Sequence, residues 1–366
     1  MSTEKFRCWA EIDRSALRHN AKMVRDRIGN AGLLAVVKAN AYGHGIVGVA
    51  EALADDAQLF GVANLEEAIS LRKALAHPIM ILGPALPHEM ESVVAQEFIP
   101  SVSTVAEAQE FDRLAASRPV SICFVIDTGM GRMGTSEANA IEVFRRLAKL
   151  RNVRMHSVST HLPVSNEDEH YTREELARFA KLIERFRNEV PGDYKVHALP
   201  SAGVLAFPDP GFDFVRAGIM LYGISPLPDK QSVLRPVMTW KTRIGLVREM
   251  AKGSSISYGR TFIAPKAMRV ATLTAGYADG YPRHLSNRDA AVLVRGRRCT
   301  LLGRVTMDLI MIDVSEVEGA EAGEEVVLMG RQGGSEIPCL ELAERAETIT
   351  WEITTRIGQR VRRLFV

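Results

Sequence analysis

Short apolar runs alternating with helix-period segments set the rhythm of the first two-thirds of this chain. β-rich apolar runs recur near 33–38, 59–64, 79–83, 98–103, 121–127, 155–161, 195–201 and 214–220. The first begins Leu33 to Val37, bounded by Gly32, and is too short for a helix. Apolar at every position, it predicts a strand buried on both faces. Between most of the runs lie amphipathic segments, as at 64–75, 104–117, 136–150 and 170–189, and Thr104 and Ser136 stand where N-caps belong. Eight strands separated by crossover helices predict an α/β fold, a (β/α)8 TIM barrel over residues 11–235. From about Pro236 the pattern shortens, with turns at Lys252–Gly253, Arg295–Gly296 and Gly333–Gly334 and one helical pattern near 338–346. This predicts a mostly β domain over 236–366, with the N-terminal residues 1–10, leading into FRCWAEI, adding a strand.

Composition and charge mainly exclude. The 46 Lys+Arg and 44 Asp+Glu nearly cancel, so no field for nucleic acid or a membrane surface is implied. Arg356, Arg360, Arg362 and Arg363 form a basic C-terminal run, best read as a solvated strand or tail. The N-terminal MSTEKFRC has no apolar signal core and no apolar run nears transmembrane length, so a cytoplasmic protein is expected. Cys8, Cys123, Cys299 and Cys339 lie far apart with no metal-ligand spacing, as reduced, mostly buried thiols do.

A barrel places its functional groups at the C-terminal strand ends. Lys38 closes the first predicted strand, where a lysine is either a snorkelling surface group or a functional amine. Tyr42, Gly43, His44 and Gly45 follow as a turn that lets backbone approach a ligand. Arg132 lies in DTGMGRMG after strand five, His161 ends strand six, Ser201 ends strand seven, and Arg216, Gly218 and Ile219 belong to strand eight. Singly, each has a plain explanation: a hydrogen-bonded histidine, a helix-capping serine, a strand-end ion pair, a tight turn. Together they fall on one rim.

The wording of these stretches closely resembles the alanine racemase family. KANAYGHG, DTGMGRMG, VRAGIMLYG, SYGRTF, GYADGYPR and GRVTMD follow in the family's order across nearly the whole chain. The resemblance implies a pyridoxal 5'-phosphate enzyme that interconverts L- and D-alanine, supplies D-alanine for peptidoglycan, and works as a homodimer with shared sites. It implies that Lys38 holds the cofactor as a Schiff base and serves as base on one face of Cα. Tyr277, the first tyrosine of GYADGYPR, serves the other face, in the site of the opposite subunit. Arg216 faces the pyridine nitrogen, with His161 orienting it. Arg132 reaches the phenolic oxygen and the substrate carboxylate. Tyr42, Ser201, Gly218 and Ile219 hold the phosphate, and the backbone of Met307 helps hold the substrate carboxylate.

Departures from the family's pattern bear on the pocket. Trp351 stands where a tyrosine that contacts phosphate is usual, and an indole donates but cannot accept. Thr306 replaces a frequent cysteine and Pro200 a frequent asparagine. Val125 replaces a lysine that some members carboxylate, so a small anion is expected beside Arg132. A broad-specificity or serine racemase of the same architecture stays open. A barrel-type decarboxylase is disfavoured because Arg216 stands where an acid is usual. A non-enzymatic cofactor carrier is disfavoured by the β domain and its GYADGYPR.

Overall fold

The computed structural model describes residues 5–115, 118–207 and 211–366. Residues 1–4 of the predicted N-terminal strand segment and 116–117 of a predicted helical segment lie outside them. The chain divides into two compact units, one of Leu17–Ala41 and Ile46–Arg235, the other of Met1–Ala16, Tyr42–Gly45 and Pro236–Val366. Strand β1 (Cys8–Ile12) belongs to the second.

The first unit is a closed parallel barrel. Its strands are β2 (Gly32–Val36), β3 (Leu59–Val62), β4 (Ile79–Pro84), β5 (Ile99–Val102), β6 (Val120–Asp127), β7 (Val153–Ser159), β8 (Lys195–Pro200) and β9 (Phe214–Ala217). They pair in the order β5-β4-β3-β2-β9-β8-β7-β6. The ring closes where Ser101 and Val102 of β5 meet Cys123 and Phe124 of β6. Helices α1 (Arg14–Ile28), α2 (Ile46–Ala52), α3 (Leu65–Arg72), α4 (Met90–Ala95), α5 (Val105–Leu114), α6 (Glu137–Leu147), α7 (Glu169–Glu189) and α8 (Ser201–Ala206) lie between the strands in sequence. Thr104 caps α5 in a reciprocal box with Glu107. Ser136 occupies the cap position of α6 but makes no side-chain cap bond, its φ of −59° lying outside the usual extended cap geometry. Phe144 of α6 stacks on Phe186 of α7 at 4.3 Å, and Phe124 of β6 joins them at 6.0 Å from Phe144. Such ring pairs add about 0.5–1.5 kcal/mol each beyond area burial and fix both helices against β6.

Every predicted run contains a strand, yet the ladders stop short of the rim residues. β2 ends before Lys38, β7 before His161, and Ser201 opens α8 instead of closing a strand. Gly218 and Ile219 are not in β9. Gly218, at φ −120° and ψ −98°, leaves the β region and begins a 3₁₀ turn over Ile219–Tyr222. The bond from Leu221 N–H to Gly218 O (2.9 Å) closes that turn, so these amides leave the ladder.

The second unit is a nine-stranded sheet. It contains β10 (Met238–Met250), β11 (Met268–Leu273), β12 (Ala291–Val294), β13 (Arg297–Thr300), β14 (Ile310–Asp313), β15 (Glu325–Gln332), β16 (Ser335–Ile337) and β17 (Arg362–Phe365). β1 lies between β10, antiparallel, and β17, parallel. Trp9 and Trp240 are fully buried, and Trp240 Nε1 donates to Cys8 Sγ at 3.1 Å. Two helices follow the sheet's main run instead of the one predicted, α9 (Cys339–Arg345) and α10 (Thr350–Thr355). The basic C-terminal run ends in a strand, β17, with Arg356, Arg360 and Arg362 exposed as expected and Arg363 half-buried. The Arg363 guanidinium donates to the carbonyls of Gly43, Gly358, Val361 and Ile357. Arg356 pairs with Glu352, and Arg360 pairs with two carboxylates. All four cysteines are free, and burial pushes the thiols of Cys8 and Cys339 up to about 12 and that of Cys299 to about 11; Cys123 is raised as well.

Candidate active site

The barrel rim gathers cations. Lys38 is half-buried, and its amine is held below the usual lysine range by burial and then by the Arg132 guanidinium. Glu67 opposes that shift and Arg216 adds to it. A lysine so placed keeps more of its amine neutral and nucleophilic.

Arg216 at the end of β9 is the most constrained of these groups. Buried, it donates through Nη1 to His197 Nδ1 (2.7 Å) and His197 O (3.0 Å). Through Nη2 it donates to Thr160 O (2.6 Å), Ala198 O (2.8 Å) and His161 Nδ1 (3.2 Å). These bonds use the four Nη protons and leave the Nε–H. All five acceptors are neutral, and burial pushes the guanidinium down to about 10. His161 is lowered to about 3, first by burial and then by Arg216, Arg132 and Lys38. His197 is lowered well below its ordinary value by burial and Arg216. Both rings are therefore neutral and can accept from the arginine. His197 accepts at Nδ1, so its proton sits on Nε2, 3.2 Å from Ser157 Oγ. Nothing in the wording of VHALPS marked His197. The available signal was a histidine inside an otherwise apolar strand, which demands a buried partner.

Arg132 is exposed on the loop after β6. Asp127 shapes that loop, accepting the Gly129 and Gly131 amides at 3.0 Å each. Val125, two residues earlier, is a buried strand residue. Beneath the loop Glu175 is buried, accepts from Thr128 Oγ1, and is raised above the usual carboxylate range by burial. Thr128 Oγ1 lies 2.6 Å from Thr160 Oγ1, which ties this loop to the residue whose carbonyl receives Arg216. Ser201 Oγ accepts from the amides of Gly218 (2.9 Å) and Met220 (3.4 Å), leaving its O–H to donate.

The remaining sequence-predicted residues lie in the second unit or, for Tyr42, at its boundary. Tyr42 is buried, and burial pushes its phenol up to about 12. It ends a left-handed stretch, with φ near +53° at Ala39 and Asn40, +55° at Ala41 and +51° at Tyr42. Tyr277 and Met307 are exposed on adjacent turns, 41% and 53% accessible. Trp351, half-buried, lies in α10, where its carbonyl accepts from Thr355 Oγ1 at 2.8 Å.

Lys38, Arg132 and Arg216 sense one another electrostatically, and Glu67 opposes the two cations at Lys38. That donor set suits a dianionic phosphate cofactor and a carboxylate substrate, with the Arg216 Nε–H left for an aromatic nitrogen acceptor. Its chemistry is that of a barrel-type pyridoxal-phosphate enzyme. Residues 12–226 match the alanine racemase N-terminal domain and residues 237–365 its C-terminal domain. The chain belongs to the alanine racemase family, which consists of pyridoxal-phosphate-dependent isomerases. The alanine racemase of Halothermothrix orenii is 42% identical over 97% of this chain and 96% of its own length. The Bacillus anthracis alanine racemase with bound L-Ala-P superposes with a TM-score of 0.91 at 32% identity, covering 98% of this chain and 95% of that one. The Bartonella henselae enzyme with covalently bound pyridoxal phosphate gives 0.89 at 27% identity, covering 99% and 100%.

Proposed function

We propose that this chain interconverts L- and D-alanine by moving the Cα proton between two bases, Lys38 and Tyr277. The observation that carries it is the Lys38 amine, lowered in pKa and set among Arg132 and Arg216 at the barrel rim. Pyridoxal phosphate, when bound, supplies the electron sink that makes an amino-acid Cα–H acidic enough to remove. Lys38 would hold the cofactor, and its amine would take or return the Cα proton on one face. Arg216 cannot readily give up its proton, so its Nε–H would donate to the ring nitrogen and leave it unprotonated. His197 and His161 keep the guanidinium aimed. Arg132 would meet the phenolic oxygen and the substrate carboxylate, and the Met307 amide the same carboxylate. Tyr42, Ser201, Gly218, Ile219 and Trp351 would hold the phosphate.

Tyr277 would take or return the proton on the opposite face. Its exposure, with that of Met307, fits a homodimer in which each chain completes the other's site. The test is Cα–H exchange in deuterated water, with products resolved on a chiral column. Lys38→Ala should lose nearly all activity. Tyr277→Phe should retain the bound cofactor's absorbance yet exchange one alanine enantiomer much faster than the other. Equal exchange of both by Tyr277→Phe would sink the two-base assignment.

A further inference from the structure

One guanidinium ties together the two turns that present Tyr277 and Met307. Arg360 donates from Nε and Nη2 to the two oxygens of Asp279, at 2.7 and 2.8 Å. The same Nη2 reaches Asp308 Oδ1 at 2.8 Å. The Asp279 side chain is only 5% exposed, and its Oδ2 also accepts the Gly276 amide at 2.8 Å. Asp279 thus closes the turn that carries Tyr277, while Asp308 directly follows Met307.

Backbone bonds join the same two turns. Tyr277 N–H donates to Thr306 O (3.0 Å) and Ala278 N–H to Met307 O (2.9 Å). A Cβ at Gly276 would stand 2.4 Å from both of those carbonyl oxygens, so the turns meet there in direct backbone contact. Exposed ion pairs usually contribute little. This one differs because it is bidentate on a buried carboxylate and shared with a second carboxylate. Without Arg360, Asp279 would be a buried charge beside another of the same sign, and the turns would move apart or reorient to rehydrate it.

We propose that Arg360 is a positioning residue: by bridging Asp279 and Asp308 it holds the Tyr277 phenol and the Met307 amide at one fixed separation. This rests on the roles proposed above for Tyr277 and Met307. A lysine would not replace it, because a point charge lacks the planar fork that grips Asp279 and reaches Asp308 together.

The experiment uses the holoenzyme. Tyr277→Phe first identifies the alanine enantiomer whose Cα–H exchange depends on the phenol. In Arg360→Ala and Arg360→Lys at saturating alanine, exchange of that same enantiomer should fall about tenfold or more, since small misplacements of a reacting group carry penalties of that size, while the other stays within about twofold; the loosened Met307 contact with the carboxylate should appear instead as a higher KM for both. Amide hydrogen exchange in peptides covering 274–282 and 304–310 should rise in both together. Asp308→Asn, at an exposed side chain, keeps the Arg360–Asp279 pair and should show the same asymmetry in smaller measure. If Arg360→Ala fails to fold, Arg360→Lys and Asp308→Asn decide. Equal slowing of both enantiomers at saturating alanine, or slowing of neither, overturns the proposal while leaving Tyr277 as a base. A Tyr277→Phe enzyme that exchanges both enantiomers alike overturns the two-base reading and this proposal with it.

Discussion

Arg216 is a buried cation held entirely by neutral acceptors, so removing one leaves a charged donor unsatisfied. His197→Ala should therefore lower kcat/KM by about ten- to a hundredfold, the equivalent of a charge-assisted hydrogen bond. Steady-state kinetics beside a thermal scan would show whether the loss exceeds any loss of stability. The neutral rings also set an acid limit. His161 titrates at about 3 in the fold and near 6.5 when unfolded, so the unfolded chain binds the extra proton first. Stability from this residue is complete above about pH 6.5 and is lost progressively as pH falls toward 3. His161→Asn should flatten the fall of the unfolding midpoint between pH 6.5 and 4, measured by calorimetry. Val125 cannot carry a carbamate, so bicarbonate depletion should leave activity unchanged, and a crystal grown in bromide should show an anion beside Arg132. At this scale, motif wording led to Lys38, Arg216 and Tyr277. The partners that aim them, His197 and Arg360, sit in a strand run and a basic run that carry no such wording, because orientation depends on contacts between residues far apart in sequence.

The left-handed stretch directly after Lys38 is strained at four consecutive non-glycine residues. Each such residue costs roughly 1–2 kcal/mol in the absence of compensation. Two bonds oppose that cost: Asn40 Oδ1 accepts the Ile46 amide at 2.9 Å, and Glu67 Oε1 accepts the Asn40 amide at 3.2 Å. Gly43, next in the chain, also has a positive φ of +84°, and a Cβ there would lie 2.0 Å from Thr354 O. Gly43→Ala should therefore destabilise strongly, by about 3 kcal/mol or more, read from denaturant midpoints. Strand and helix positions were legible because burial on both faces and helical spacing leave period patterns in the sequence. The strand ends were not, because apolar character runs past the last ladder bond at Gly218 and Ile219. α10 was missed because TITWEITT is rich in β-branched residues, and its Thr354 and Thr355 hydroxyls bond back to the helix carbonyls.

The whole molecule repeats this division of labour between its two units. Lys38 belongs to one and Tyr277 to the other. If each site draws on two chains, mixing Lys38→Ala with Tyr277→Phe should restore activity, because one site of a mixed dimer would hold both bases. Activity that stays at the level of the separate variants after verified subunit exchange would count against shared sites.

Three buried thiols and the half-buried Cys339 make the chain its own stopwatch. Cys123 lies in the barrel unit, and Cys8, Cys299 and Cys339 lie in the β unit. With Cys8 and Cys339 near 12 in the fold, a thiolate reagent at pH 8 finds almost nothing to attack until a unit opens. Alkylation of Cys8 and Cys339 should run about a thousandfold slower than on a free cysteine and accelerate with urea, followed by intact mass. One added label would time the opening of the barrel, and three together the opening of the sheet, without any probe being introduced.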